Sequence, residues 1–312
     1  MRPSISRWGY SVYELAADIQ LEKLELGRFG DIVADSVDAE ILITHSKQRI
    51  SYPELEQASS VKLVITTTSG IDHIDTKALL DKGVRLARMP MVRRDAVAET
   101  TIGLLLDALR LIWRFQDDAR KNLWSRGRLP EYMPRRICDL DIGVVGYGVI
   151  GSRLVEMLGA MGARNISVTD PKGVPAHVKK RDFWEMGRTC QAILFACDLN
   201  SSSENMVNQD WLYQCQQGII LVNAARGKLI DIKAAKRALE QDKIGFLGLD
   251  VFPQEPFDSL HWVNDHPNLV CLPHSAGFHP ELARMIREGL VALVESYCLG
   301  KDIPFEVVMR EV

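Results

Sequence analysis

From about residue 138 onward, apolar and polar positions alternate on two scales. Ile142 to Val145, Ile166 to Thr169, Ala192 to Cys197, Ile219 to Asn223, Phe246 to Val251 and Leu269 to Leu272 are short, largely apolar runs rich in β-branched residues. That is the signature of strands buried on both faces. Between the runs lie longer stretches with helical periodicity, such as Arg153 to Leu158 and Ile232 to Leu239. Strand and helix in alternation predict βα repeats on a parallel sheet, a doubly wound α/β domain.

The first hundred residues repeat a rougher version of the pattern. Strands are predicted at Glu40 to Thr44, Val61 to Thr66 and Val84 to Ala87, with helices beginning at Tyr52-Pro53 and at Asp75. They predict a second, smaller α/β domain of flavodoxin-like type, and Tyr10 to Gln20 fits a strand or a helix equally well. An uninterrupted helix from Ala96 to about Leu123 is expected to carry the chain from this domain into the larger one, and a helix from Pro280 to about Leu299 to carry it back. The expected domains are therefore 1–97 with 281–312, and 98–280.

A chain of 312 residues is long enough for two cores, and its net charge of -3 provides no broad positive field. Nucleic acid and anionic membrane are not expected partners, so a small molecule is. The six cysteines form no CxxC pair and no metal-ligand spacing with the seven histidines, so they read as reduced core thiols and no metal site is expected. MRPSISRWGY has no apolar stretch of the kind that opens a signal peptide, and no window approaches the ~20 apolar residues of a membrane helix. The expected location is the cytoplasm.

Gly146-Tyr147-Gly148-Val149-Ile150-Gly151 follows the run ending at Val145 and opens a helical stretch. In a dinucleotide-binding turn the first glycine permits the bend, the second admits the pyrophosphate and the third allows close helix packing. Free N–H groups at the helix start attract the anion. Asp170 ends the next strand 19 residues after Gly151, where a carboxylate accepts bonds from ribose hydroxyls and repels a 2'-phosphate. NAD is the expected cofactor, although neighbouring Lys172 leaves NADP open, and Asp170 also fits a plain turn before Pro171.

Three further blocks end strands: Asn223-Ala224-Ala225-Arg226-Gly227, Asp250 to Pro256 with Glu255, and Pro273-His274-Ser275-Ala276-Gly277. Ligands bind at that edge of a doubly wound sheet. Together with Ser69-Gly70-Ile71-Asp72-His73-Ile74-Asp75 and Val97-Ala98-Glu99, these blocks make the chain from Glu40 to Leu299 resemble the D-2-hydroxyacid dehydrogenase family. That family includes glyoxylate and hydroxypyruvate reductases and phosphoglycerate, erythronate-phosphate and D-lactate dehydrogenases. The resemblance implies a Rossmann NAD domain and a substrate domain, a homodimer, and a catalytic triad of Arg226, Glu255 and His274. It also implies backbone at Ser69 and Gly70 on the substrate carboxylate, with cofactor contacts from Val149, Ile150, Asn200, Ala224 and Asp250. Asp250 would bind the nicotinamide carboxamide or merely cap its loop.

The residue types suit hydride transfer to or from C2 of a small 2-oxo or 2-hydroxy acid. Hydride arriving at a carbonyl carbon builds charge on oxygen, and histidine titrates where a proton can be given near neutrality. A carboxylate beside the imidazole favours its charged form, while an arginine fork holds the substrate carboxylate. Each residue alone also reads as an ordinary surface or loop residue. An NAD(H)-sensing binding module with little turnover is the alternative from another class. Two departures stand out: Asp198 lies where related chains commonly have proline, and Arg88-Met89-Pro90-Met91-Val92-Arg93-Arg94 replaces the usual Asn, Thr, Pro stretch. Arg88, Arg93 or Arg94 is expected either to read a second anionic group on the substrate, with Arg93 the first to test, or to be a surface arginine.

Overall fold

A computed structural model describes residues 5–7, 39–46, 48–257 and 266–307. Tyr10 to Gln20 lies outside them. Two compact units emerge, Met1–Arg93 with His279–Val312, and Arg94–Phe278, so the crossings fall four and two residues before the expected ones.

In the larger unit, β5 (Asp141–Val145), β6 (Asn165–Thr169), β7 (Lys179–Lys180), β8 (Ala192–Phe195), β9 (Ile219–Asn223), β10 (Ile244–Leu249) and β11 (Leu269–Cys271) form one sheet. Its order is β11-β10-β9-β8-β5-β6-β7 and every pair is parallel. Alternate residues feed opposite faces. Ile142, Val144 and Val222 pack with Ala98, Ile102 and Leu105 of the Arg94–Arg110 helix and Leu154 of the Val149–Ala160 helix. Val145, Phe195, Leu221 and Leu247 pack on the other side with Met186, Trp211 and Leu239. Both faces are covered, so the strands read as continuous apolar runs. Strand order reverses between β5 and β8, the place where such sheets bind dinucleotides.

Two expectations are corrected here. The helix expected from Ala96 to Leu123 lies wholly in the larger unit and breaks at Leu111, which adopts a left-handed φ of 56° between Arg94–Arg110 and Ile112–Arg120. Asp107 causes the break chemically, because its carboxylate accepts the Trp113 N–H at 2.8 Å and so caps a new helix start. β7 was not anticipated because two exposed lysines carry no apolar signal, and lysine is the residue that protects a sheet edge.

In the smaller unit, β1 (Ile5–Arg7), β2 (Ile41–Thr44), β3 (Leu63–Thr66) and β4 (Arg85–Arg88) form a parallel sheet in sequential order. Among the described residues this sheet shows no reversal of strand order. The Tyr52–Gln57 and Thr76–Asp81 helices cover one face through Leu55 and Leu79, which pack with Leu42, Val64 and Leu86. The Leu282–Cys298 helix covers the other, placing Leu282, Ile286 and Leu290 against Ile41, Leu63 and Ile65. Residues 305–307 then run antiparallel beside β4, fastened where Arg85 donates twice to Glu306 at 2.7 and 2.8 Å.

Candidate active site

The glycine turn sits at the end of β5, and its residue types follow from space. Gly146 has φ 97°, and a Cβ there would lie 2.7 Å from Ala196 O in the loop after β8. A Cβ on Gly151 would lie 2.0 Å from Gly146 O, so the helix must start against the turn. A Cβ on Gly148 would meet nothing within 4 Å. That open space, followed by the first N–H groups of a helix beginning at Val149 and Ile150, fits a pyrophosphate. Asp170 accepts the N–H of Tyr147 at 2.7 Å and of Lys172 at 2.8 Å. It therefore does act as a turn residue, and a carboxylate with about four lone pairs keeps acceptor capacity for ribose. Asn200 spends its side-chain oxygen on Ser202 and Ser203 N–H at 2.9 and 3.2 Å. Despite Asp198, the loop is tightly closed, since buried Ser203 donates to Asp198 O at 2.9 Å.

Arg226, Glu255 and His274 lie in three loops after β9, β10 and β11, and all three belong to the larger unit. His274 Nδ1 and Glu255 Oε2 are 2.6 Å apart, and Phe252 N–H donates to the other Glu255 oxygen at 3.0 Å. With Glu255 ionised, Nδ1 carries the proton and Nε2 is left to exchange one. The hydrogen bond His274 donates to Glu255 raises the His274 pKa above the usual histidine value, with burial and the Arg226 charge pulling the other way. Burial alone would raise Glu255, but the bonds from His274 and Phe252 and the charges of His274 and Arg226 hold it below the usual carboxylate range. Arg226 thus acts electrostatically on both partners.

The supports beneath the triad are residues to which composition gave little or no role. Asn223 is fully buried; its amide donates to Arg226 O at 2.9 Å and accepts from Ala225 N at 3.0 Å, shaping the arginine loop next to buried Ala224. Asp250, also fully buried, accepts Ser275 N at 2.7 Å and Ala276 N at 3.0 Å, and its own carbonyl accepts His274 N at 2.8 Å. This is the loop-capping alternative for Asp250. A Cβ on Gly227 would lie 1.9 Å from the Phe252 carbonyl carbon, so the arginine loop rests directly on the glutamate loop.

In the smaller unit, Ser69 and Gly70 follow β3. Arg88 donates to Ser69 O at 3.0 Å and Arg93 to Thr67 O. Arg94, in the larger unit, pairs through both nitrogens with Asp95, at 3.1 and 3.0 Å. Trp124 is 88% exposed. Among the described residues, no cluster of side chains could hold a metal, and no helix is long and apolar enough to cross a membrane.

A D-3-phosphoglycerate dehydrogenase of Methanocaldococcus jannaschii is 30% identical over 249 residues, covering 76% of this chain and 45% of its own. The chain thus spans about half the length of the curated phosphoglycerate dehydrogenases it matches. A glyoxylate reductase of Thermococcus kodakarensis is 26% identical over 288 residues, 88% of this chain and 84% of its own. The structure of D-lactate dehydrogenase from Aquifex aeolicus, complexed with NAD and lactic acid, shares the fold with a TM-score of 0.81 at 23% identity, covering 95% of this chain and 96% of that one. The profile of the family's NAD binding domain matches residues 102–276, and the chain belongs to the D-isomer specific 2-hydroxyacid dehydrogenase family.

Proposed function

We propose that the protein is an NAD(H)-dependent D-2-hydroxyacid dehydrogenase that works chiefly as a reductase of small anionic 2-oxo acids. The observation that carries this reading is the 2.6 Å contact between His274 Nδ1 and Glu255, with Arg226 close enough for its charge to act on both. Bound nicotinamide would supply the hydride. As C2 accepts the hydride, the carbonyl π pair moves to oxygen, and that oxygen takes the proton from His274 Nε2. Glu255 keeps the imidazole protonated until then and stabilises the charge while it is there. Arg226 holds the substrate carboxylate and offsets charge building on the carbonyl oxygen. Ser69 and Gly70 offer backbone N–H groups suited to a carboxylate. Oxidation reverses each step, with neutral His274 as the base.

NAD is favoured over NADP because the Asp170 carboxylate would face a 2'-phosphate. A homodimer is supported by exposed Ile112, Leu123, Trp124, Leu129 and Met133 along one segment of the larger unit. Six unpaired cysteines suit a reducing compartment such as the cytoplasm.

Steady-state oxidation of NADH and NADPH with a panel of 2-oxo acids tests the function. Substitution His274→Gln should lower kcat about a thousandfold while leaving NADH affinity within about twofold. Turnover retained by that variant removes His274 from its role, and a wild type that reduces no acid sinks the reading.

A further inference from the structure

Four consecutive carbonyls in the loop after β3 are each met by a donor from the same unit. Arg93 donates to Thr67 O, Met89 N–H to Thr68 O at 3.1 Å, Arg88 to Ser69 O at 3.0 Å, and Thr68 Oγ1 to Gly70 O at 2.7 Å. In a trans peptide the C=O and the following N–H point opposite ways, so fixing the Thr68 and Ser69 carbonyls also fixes the N–H of Ser69 and Gly70. Among the described residues neither N–H meets an acceptor, and Ser69 Oγ is buried without a partner. By contrast the Thr68 N–H is taken by Thr66 Oγ1 at 3.4 Å. Successive N–H groups held open in this way make a concavity for an anion.

We infer that Arg88 and Arg93 are positioning residues for the substrate carboxylate, Arg88 aiming the Gly70 N–H by gripping Ser69 O and Arg93 anchoring the same loop at Thr67 O, rather than receptors for a second anionic group. The inference rests on the function proposed above. Bonds from a charged donor are stronger than neutral ones, and the Arg88 guanidinium on Ser69 O also polarises the N–H of that same peptide, on Gly70, toward an anion. The short Pro90–Arg93 turn makes the geometry possible, because it folds the chain so that side chains five positions apart reach carbonyls two apart. Arg93 is half-buried, and its donor contact is to backbone, which is the same for every substrate.

The test compares pyruvate, whose tail is neutral, with 2-oxoglutarate, whose tail is anionic. Substitution Arg93→Met should raise KM about tenfold for both acids by the same factor, with kcat and NADH affinity changed by less than about twofold. Arg93→Lys, which restores one charged donor, should recover part of that loss. Unchanged KM values, or a rise confined to 2-oxoglutarate, overturn the inference. Titrating pyruvate into the full chain while following the Ser69 and Gly70 amide resonances reads binding without turnover. Resonances that shift in wild type and need about tenfold more pyruvate in Arg93→Met support the inference even if no acid is reduced. Equal affinity in both proteins, or no shift in wild type, overturns it even if the acids are reduced.

Discussion

The two polar regions are built in opposite senses. The larger unit presents side chains: Glu255 is steadied by Phe252 N–H, and the His274 loop by N–H bonds from Ser275 and Ala276 to the buried Asp250 carboxylate. The smaller unit presents backbone and uses side chains to hold it, with Arg88 and Arg93 gripping Ser69 O and Thr67 O. Proton transfer needs a titratable group, so its machinery must be side chain. Binding a carboxylate needs only fixed donors, and backbone N–H groups suffice.

The comparison can be broken most forcefully at Asp250. Asp250→Ala leaves two N–H groups near His274 without their acceptor, one of them on buried Ala276. We expect a loss of about 1–3 kcal/mol in urea unfolding and about a hundredfold in kcat/KM. A variant as active as wild type would mean the His274 loop needs no such support.

A smaller, directional effect is expected of Glu255→Gln. The Glu255 bond raises the His274 pKa, so reduction, which needs the imidazolium, should persist to higher pH in wild type than an ordinary histidine allows. Removing the carboxylate should move the alkaline fall of kcat/KM to lower pH. The pair has a matching effect on stability. His274, raised when folded, contributes stability below its unfolded pKa that is lost as pH rises through the folded one. Glu255, lowered when folded, contributes above its unfolded pKa and loses that as pH falls through the folded one. A pH profile that does not move in Glu255→Gln would refute the coupling.

The smallest effect belongs to the backbone-presenting loop. Ser69→Ala removes a buried hydroxyl that has no partner, so stability should stay within about 1 kcal/mol of wild type while KM for pyruvate rises about threefold. A large loss of stability would show that the hydroxyl is structurally engaged.

These opposite constructions also decide what the sequence disclosed. The β5 to β11 sheet was largely legible because strands covered on both faces must be apolar throughout, and only the exposed Lys179–Lys180 strand escaped. Arg226, Glu255 and His274 stood out because their side-chain types suit the proposed chemistry, and each follows a strand. Backbone clamps leave no such trace. The buried acceptor role of Asp250 looks in sequence like that of any loop aspartate, and sequence left Arg88 and Arg93 open between a distal anion and a plain surface role, whereas each donates to a backbone carbonyl. The break at Leu111 was hidden because Asp107 caps through its side chain within an otherwise helical pattern.

The seat of Gly227 on Phe252 limits how the catalytic loops can vary. With no room for a methyl group at Gly227, the arginine loop and the glutamate loop meet backbone to backbone. An insertion or a bulkier residue in either would displace both charges at once. New substrate preferences therefore have to be found by altering residues elsewhere, with the proton-handling group left as it is.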